Sequence, residues 1–169
     1  MKEKISLKSI WDNLEEIILI PSLTISVVII FIQVCMRYIF NNSLSWSEEL
    51  ARYMFIWQVW LGISLAAKKK SHLRITLVFG LVKGNAAKVL NLIVDVIFFV
   101  FGLLITKYGM DVVMQIAHFQ QKSAALQLPM QYVYAAIPVG ALLMSIRLLE
   151  DLVRGVKGMA AKREDGEVK

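Results

Sequence analysis

The stretch Leu44–Tyr53, with the sequence LSWSEELARY, opens the second long apolar segment of the chain. It places two adjacent carboxylates and an arginine at the start of a helix of membrane length. Glu48 and Glu49 lie four and three residues before Arg52, so on a helix either carboxylate can reach the same guanidinium. We interpret the group as a polar cluster that docks this helix against other helices, because charges near lipid usually have partners. A charge-balanced helix start at the membrane surface, with acids at the positive end of the helix dipole, is the alternative.

Three further apolar segments flank this one in a chain of 169 residues that is 57% hydrophobic. Each segment is close to the roughly 20 residues that an α-helix needs to cross a hydrocarbon core. A helix also satisfies its own backbone groups in lipid. We therefore predict an all-α integral membrane protein, a single domain whose four transmembrane helices cover about residues 17–39, 47–67, 88–109 and 129–152.

Lysine and arginine are distributed unevenly among the segments between these spans. Fifteen of the nineteen fall before the first span, in the second connection or from Arg147 onwards, and four fall in the first and third connections. The positive-inside rule then predicts that both termini are cytoplasmic, with residues 153–169 as a cytoplasmic tail. The net charge of +6 is accounted for by contact with anionic membrane lipids and requires no nucleic acid.

Residues 1–16 carry apolar side chains at helical spacing, with charged residues on the other side. This pattern predicts an amphipathic N-terminal helix at the membrane surface, anchored by Trp11. An extension of the first span below the membrane is the alternative.

At the other side of the membrane, residues 108–128 are expected to form the third connection.

The residue pattern of the second span predicts a broad contact face. Trp46, Glu49, Tyr53, Trp57 and Trp60 recur at spacings of three, four and seven residues, which places them on one side of a helix. Such aromatic faces are typical of surfaces that pack against helices or lipid. We expect either this face or a line of Asn91, Asp95 and Gly102 on the third span to meet a partner subunit, the other serving packing within the chain. Gly62, on the opposite side of the second span, could allow close helix approach.

The third span carries a second candidate packing face. Asn91, Asp95 and Gly102 follow one line of the helix, and small and polar residues on one line are typical of helix packing in membranes. An acid inside a membrane is also a functional candidate. Two interpretations of Asp95 stay open: a structural pair with a basic residue of the second connection, and a proton- or ion-carrying role.

Several classes of function are disfavoured by the residues that are missing. The sequence has no phosphate-binding glycine loop, zinc-ligand spacing or nucleophile elbow, and Cys35 is its only cysteine. His72 and His118 fall in predicted connections, where they cannot hold a haem between spans. We therefore predict a protein that is not an enzyme and has no catalytic, metal or cofactor site. A self-contained transporter would be expected to show internal repeats and a polar midplane site, and neither is evident.

Trp46–Arg52, WSEELAR, after a short turn that follows Arg37 and Tyr38, resembles the DctQ-type small membrane subunits of tripartite ATP-independent periplasmic (TRAP) transporters. The run Leu61–Ser64 before a basic stretch, and Leu128-Pro129 before Tyr134–Pro138, are similar as well. The resemblance covers about residues 15 to 153.

Membership would imply a four-helix subunit of the bacterial inner membrane that enlarges the fixed scaffold of a larger membrane subunit. That larger subunit would hold the substrate and sodium sites and move them as an elevator. A periplasmic binding protein would deliver an organic acid, such as a sialic acid or a C4-dicarboxylate. The alternative is an autonomous small transporter that works as a homo-oligomer, with Asp95 or the pair Glu48/Glu49 as the coupling acid.

Overall fold

The computed structural model describes residues 7–42, 44–69 and 85–167, with side chains described for residues 11–42, 44–69, 90 and 92–153. Regular structure in these residues is helical, apart from one isolated bridge between Lys122 and Pro129. The helices are α1 (Leu7–Tyr38), α2 (Ser45–Lys68), α3 (Asn85–His118), α4 (Gln131–Tyr134) and α5 (Ala136–Glu167). Four candidate spans in the described residues are long and apolar enough to cross a membrane. The all-α membrane fold predicted from the sequence is thereby confirmed.

From Leu7 onwards, the predicted N-terminal amphipathic segment and the first span form one helix. α1 runs without interruption from Leu7 through Pro21 to Tyr38. Proline removes one backbone hydrogen bond from a helix. Just after it, Ser22 donates its hydroxyl to the Leu19 carbonyl and Thr24 donates to that of Ile20.

The turn after α1 contains a residue in the left-handed backbone conformation. Asn41 has φ 53°, and the Asn42 N–H donates to the Met36 carbonyl at 3.0 Å. Asparagine is one of the few residues besides glycine that adopt this conformation readily, so Asn41 can turn the chain away from the axis of α1.

α3 extends beyond the predicted end of the third span at residue 109. It continues to His118, so the outer connection comprises residues 119–130 rather than 108–128. Residues 110–117 contain no glycine or proline, and Val113 and Ile116 are half-buried at helical spacing. The helix ends where Gln120 adopts φ 49°.

The fourth span is divided near its start. Pro138 has no backbone N–H, so it cannot donate to the carbonyl four residues earlier, at Tyr134. The last residue of α4 is Tyr134, and α5 begins at Ala136. The Val139 N–H still donates to the Ala135 carbonyl at 3.2 Å, so helical hydrogen bonding resumes directly after the proline.

The main helix contacts place the four long helices in the order α1, α2, α5, α3. In the most apolar window of the fourth span, half of the residues are buried, compared with 11% in the first and third spans. α5 therefore forms the centre of the bundle, and α1 and α3 lie at its two edges.

Close helix crossings on both sides of α5 depend on glycine. A Cβ at Gly140 would lie 2.7 Å from the Cβ and the carbonyl oxygen of Trp60 on α2. A Cβ at Gly102 on α3 would collide with the hydroxyl of Ser145. Gly62, the expected site of close approach, has open space instead, since a Cβ there would meet no atom within 4 Å.

We predict that Gly140→Val destabilises the bundle by about 1–3 kcal/mol or more, the range typical of overpacking. The Trp60 backbone cannot move aside without shifting α2. Thermal unfolding of the purified chain in detergent measures the effect. Gly62→Val is the matched control, because it adds the same β-branched side chain to a mid-helix glycine with free space around it. Equal unfolding midpoints for the two variants would contradict this role of the crossing.

Candidate functional site

A buried ion pair connects α1, the first helix, to α5, the last helix. The Arg147 guanidinium on α5 donates from Nε to Oε1 of Glu15 at 2.8 Å, and from Nη2 to Oε2 at 2.9 Å. Glu15 on α1 is 0% exposed and Arg147 is 3% exposed. This two-point contact is the strong geometry of an arginine–carboxylate pair.

Neighbouring groups complete the coordination of this pair. The Ser64 hydroxyl on α2 donates to Oε1 of Glu15 at 3.1 Å, so three long helices meet at this carboxylate. The Arg147 guanidinium also donates to the Trp11 carbonyl and lies 4.5 Å from the centre of the Trp11 ring. Glu150 accepts from the Trp11 indole N–H at 2.9 Å and lies 3.5 Å from Nη1 of Arg147. We call Trp11, Glu15, Ser64, Arg147 and Glu150 the Glu15–Arg147 cluster.

Sequence reasoning missed this cluster. It assigned Glu15 to the polar side of an amphipathic helix and counted Arg147 with the basic tail. The sequence did contain an indication of the cluster. Arg147 lies inside the predicted fourth span, where a charge needs a partner, and Glu150 follows it by one helical turn. Trp11 and Glu15 are likewise one turn apart.

Glu49 at the start of α2 holds the outer connection in place. Its Oε2 accepts the backbone N–H groups of Ala125 and Leu126 at 2.9 and 2.8 Å, and its Oε1 accepts that of Ala124 at 3.2 Å. The Tyr53 hydroxyl, one turn along α2, donates to the same Oε1. One carboxylate therefore orders three consecutive backbone amides of a loop more than 70 residues away.

The loop itself, residues 121–130, is closed by its own hydrogen bonds. The Ser123 N–H donates to the Leu128 carbonyl at 2.9 Å, and the Ser123 hydroxyl accepts the Leu128 N–H at 3.1 Å. The Met130 N–H donates to the Gln121 carbonyl at 2.9 Å. Gln127 takes a left-handed conformation with φ 54°, which turns the chain back on itself. The Glu49 carboxylate fills the concave side of this turn.

The expected ion pairs of Arg52 are not formed. Among the described residues, neither Glu48 nor Glu49 pairs with Arg52; Glu48 and Arg52 are exposed, and Glu49 is engaged with the loop. For Glu49, the physical reason is that three backbone N–H groups and the Tyr53 hydroxyl already donate to its oxygens.

Part of the aromatic face of α2 packs within the helix bundle, and part of it is exposed. Tyr53 is buried, and the Trp57 indole N–H donates to the Tyr132 carbonyl of α4 at 3.2 Å. Trp60 lies against Gly140 of α5, whereas Trp46 is 46% exposed. Much of the face that we expected to meet another subunit therefore packs within this chain.

The predicted packing face of α3 is directed towards α5. Gly102 lies against Ser145 and Met144, and Asp95 is half-buried. The side chain of Asn91 lies outside the described residues, as do His72 and the rest of residues 70–84.

Two clefts of about 290 and 440 Å³ flank Tyr53. Their walls are mainly aliphatic and aromatic, and Arg52 provides the charge of the larger one. Elsewhere in the spans, the buried Gln58 amide donates to the Ser26 hydroxyl at 2.8 Å. Within the described part of the chain, no buried side-chain nitrogen or oxygen lacks a hydrogen-bond partner. The described polar groups are thus arranged to fix the helices and a loop.

Comparison with known proteins identifies the family. Residues 26–158 match the family described as tripartite ATP-independent periplasmic transporters, DctQ component. The chain is 28% identical over 155 residues to the sialic acid TRAP transporter small permease protein SiaQ of Vibrio cholerae, covering 89% of this chain and 86% of that protein. It is 22% identical over 161 residues to the C4-dicarboxylate TRAP transporter small permease protein DctQ of the same species, covering 82% and 69%.

A further relative is much longer than this chain. The isethionate TRAP transporter permease protein DctMQ of Oleidesulfovibrio alaskensis is 31% identical over 151 residues, which cover 86% of this chain but only 24% of that protein. The relatives are transporter permeases, not enzymes. The family and the four membrane-length helices place the chain in the inner membrane as a multi-pass protein. The resemblance found in the sequence is confirmed, and the chain belongs to the DctQ family, the small membrane subunits of TRAP transporters.

Proposed function

We propose that this chain is a scaffold subunit that binds and stabilises a large, elevator-type membrane subunit of a sodium-coupled importer. The observation that carries the proposal is the use of the buried polar groups. In the described residues, each of them is bonded within the chain. A site for a carboxylate and its coupling ions needs several polar groups that are free to replace hydration, since unpaired charges in an apolar interior are costly. The binding and movement of substrate are therefore assigned to the partner.

The long relative supports a permanent association with a larger membrane protein. In DctMQ, the region similar to this chain is about a quarter of one polypeptide, which is itself called a permease. Fusion of two parts in one relative favours their assembly as separate chains in another.

The substrate proposed is an organic acid delivered by a periplasmic binding protein. The relatives are named for isethionate, sialic acid and C4-dicarboxylates, which are all organic acids. We propose the sialic acid or C4-dicarboxylate type for this chain.

We infer that both termini and the connection between α2 and α3 are cytoplasmic, from the distribution of lysine and arginine. A cysteine introduced at Ser71 in a Cys35→Ala background tests this orientation. We expect no labelling by an impermeant maleimide added outside intact spheroplasts, and labelling after permeabilisation. Labelling of intact spheroplasts from outside would contradict this orientation and indicate the opposite one.

Reconstitution in proteoliposomes tests the function. Under an inward sodium gradient, we expect the chain alone to take up no more labelled sialic acid or succinate than empty vesicles. Addition of the large membrane subunit and the binding protein should produce uptake of one of these acids. Uptake by the chain alone would refute the scaffold proposal and favour the autonomous transporter, with Asp95 or the pair Glu48/Glu49 as the coupling acid.

A further inference from the structure

The outer half of α3 carries two charged side chains on an exposed face. Lys107 and Asp111 are one helical turn apart, and both are exposed. At 100° per residue, each lies about 160° around the helix from Gly109, which packs against Ile137 and Pro138 of α5. The two charges therefore point away from the bundle, at the edge of the helix row that α3 forms.

The helix contacts place Lys107 far from the ends of the spans. It lies between Gly102, which is opposite Ala141, and Gly109, which is opposite Pro138. The next residue pair in this layer is Gly140 and Trp60. Trp60 is fifteen residues from the start of α2, or about 22 Å along its axis. Lys107 is thus level with residues 138–141, inside the fourth candidate span Gln131–Val153, and Asp111 is one turn nearer the outer end of α3.

Nothing in the described part of the chain neutralises these charges. Lys107 has only a contact with the adjacent Tyr108 ring, at 5.8 Å from its centre, and no ion pair joins it to Asp111. Ionisable residues at membrane depth almost always face protein or water and have partners. A lysine can extend its long chain to the headgroups, but an aspartate is too short to do so. A lipid environment therefore fails to account for the pair.

The rest of the same face is apolar and suits a helix partner. Val100 and Leu104 continue the line of Lys107 towards the other end of α3 and are 50% and 47% exposed. Helices in membranes associate by close packing and hydrogen bonds, and polar side chains fix which partner is chosen.

We propose that this outward face of α3, defined by Val100, Leu104, Lys107 and Asp111, docks against a membrane helix of the large subunit that presents an acid and a hydrogen-bonding or basic group one turn apart. The inference rests on the proposed function and assigns its partner to one edge of the bundle. A second copy of this chain would offer the same two charges and is the competing occupant. The DctMQ relative favours the large subunit, because there a region similar to this chain is part of a longer permease.

Site-specific photo-crosslinking tests the assignment. A photoreactive phenylalanine analogue is placed at Leu104 in the complete complex, and at Phe31 on α1 as a control at the opposite edge, where the native side chain is 67% exposed. We expect an adduct with the mass of the large subunit from position 104, several-fold above the yield from position 31. Equal yields, a dimer of this chain or an absence of any protein adduct at position 104 would each overturn the proposal.

Charge reversal gives a second, independent measurement. Asp111→Lys should reduce the large subunit recovered with the tagged chain by about tenfold, while Arg37→Glu, which reverses an exposed charge in the last turn of α1 at the opposite edge of the bundle, should leave recovery unchanged. Thermal unfolding of each isolated variant checks that it folds. Unchanged recovery with Asp111→Lys would count against the proposal. If the wild-type chain itself recovers no large subunit, the proposed function fails; if it does so without the Leu104 adduct, only the assignment of α3 fails.

Discussion

Replacing Arg147 with alanine is expected to destabilise the chain by about 3–5 kcal/mol, because it leaves the Glu15 carboxylate buried without its counter-charge. Glu15 is fully buried, and Ser64 would be the remaining side-chain donor to it. For a chain of this size, each kcal/mol corresponds to about 2–4 °C, so the unfolding midpoint should fall by about 6–20 °C. Thermal unfolding in detergent measures the shift.

Two further variants separate the cause from general damage. Lys69→Ala removes the pair of Lys69 with Glu16, whose side chains are 58% and 33% exposed, and should cost only about 0–1 kcal/mol. The double variant Glu15→Met/Arg147→Met removes both charges while keeping most of the volume. Buried ion pairs exchanged for apolar residues are often tolerated, so the double variant should be more stable than Arg147→Ala. An Arg147→Ala midpoint equal to that of Lys69→Ala would refute the role of the cluster.

The four spans were predictable because their signal is local. Length and apolar content decide whether a helix can cross a membrane, and both can be read within each segment. The end of α3 was not predictable in this way. Lys107 and Asp111 broke the apolar run and suggested a connection, but the helix continues to His118, since Val113 and Ile116 still pack inward.

The Glu15–Arg147 cluster was not predictable because it depends on which helices are neighbours. Its two charges are 132 residues apart, and helical periodicity does not specify that α1 and α5 meet. The same applies to Glu49. Its position beside Arg52 suggested a local ion pair, whereas three backbone N–H groups of the loop, from Ala124 to Leu126, donate to its two oxygens.

Glu49→Ala is expected to release this loop from α2. Three backbone N–H groups would lose the carboxylate that accepts them, and water can replace part of this bonding at the exposed residues Ala124 and Ala125. Hydrogen exchange at Ala124, Ala125 and Leu126 should therefore accelerate by about tenfold or more, because exchange requires that the N–H is released from its acceptor. Mass spectrometry of the peptide that covers residues 121–130 measures this change.

Arg52→Ala is the matched control, because Arg52 lies one turn from Glu49, is exposed, and has no ion pair with either glutamate in the described residues. It should leave loop exchange unchanged. Glu49→Gln should give an intermediate rate, because the amide oxygen still accepts but its nitrogen cannot. If Arg52→Ala accelerates exchange as much as Glu49→Ala, the ion-pair cluster inferred from the sequence describes this site better than the loop anchor. If neither variant changes exchange, the loop is held by its internal bonds, chiefly those of Ser123 with Leu128.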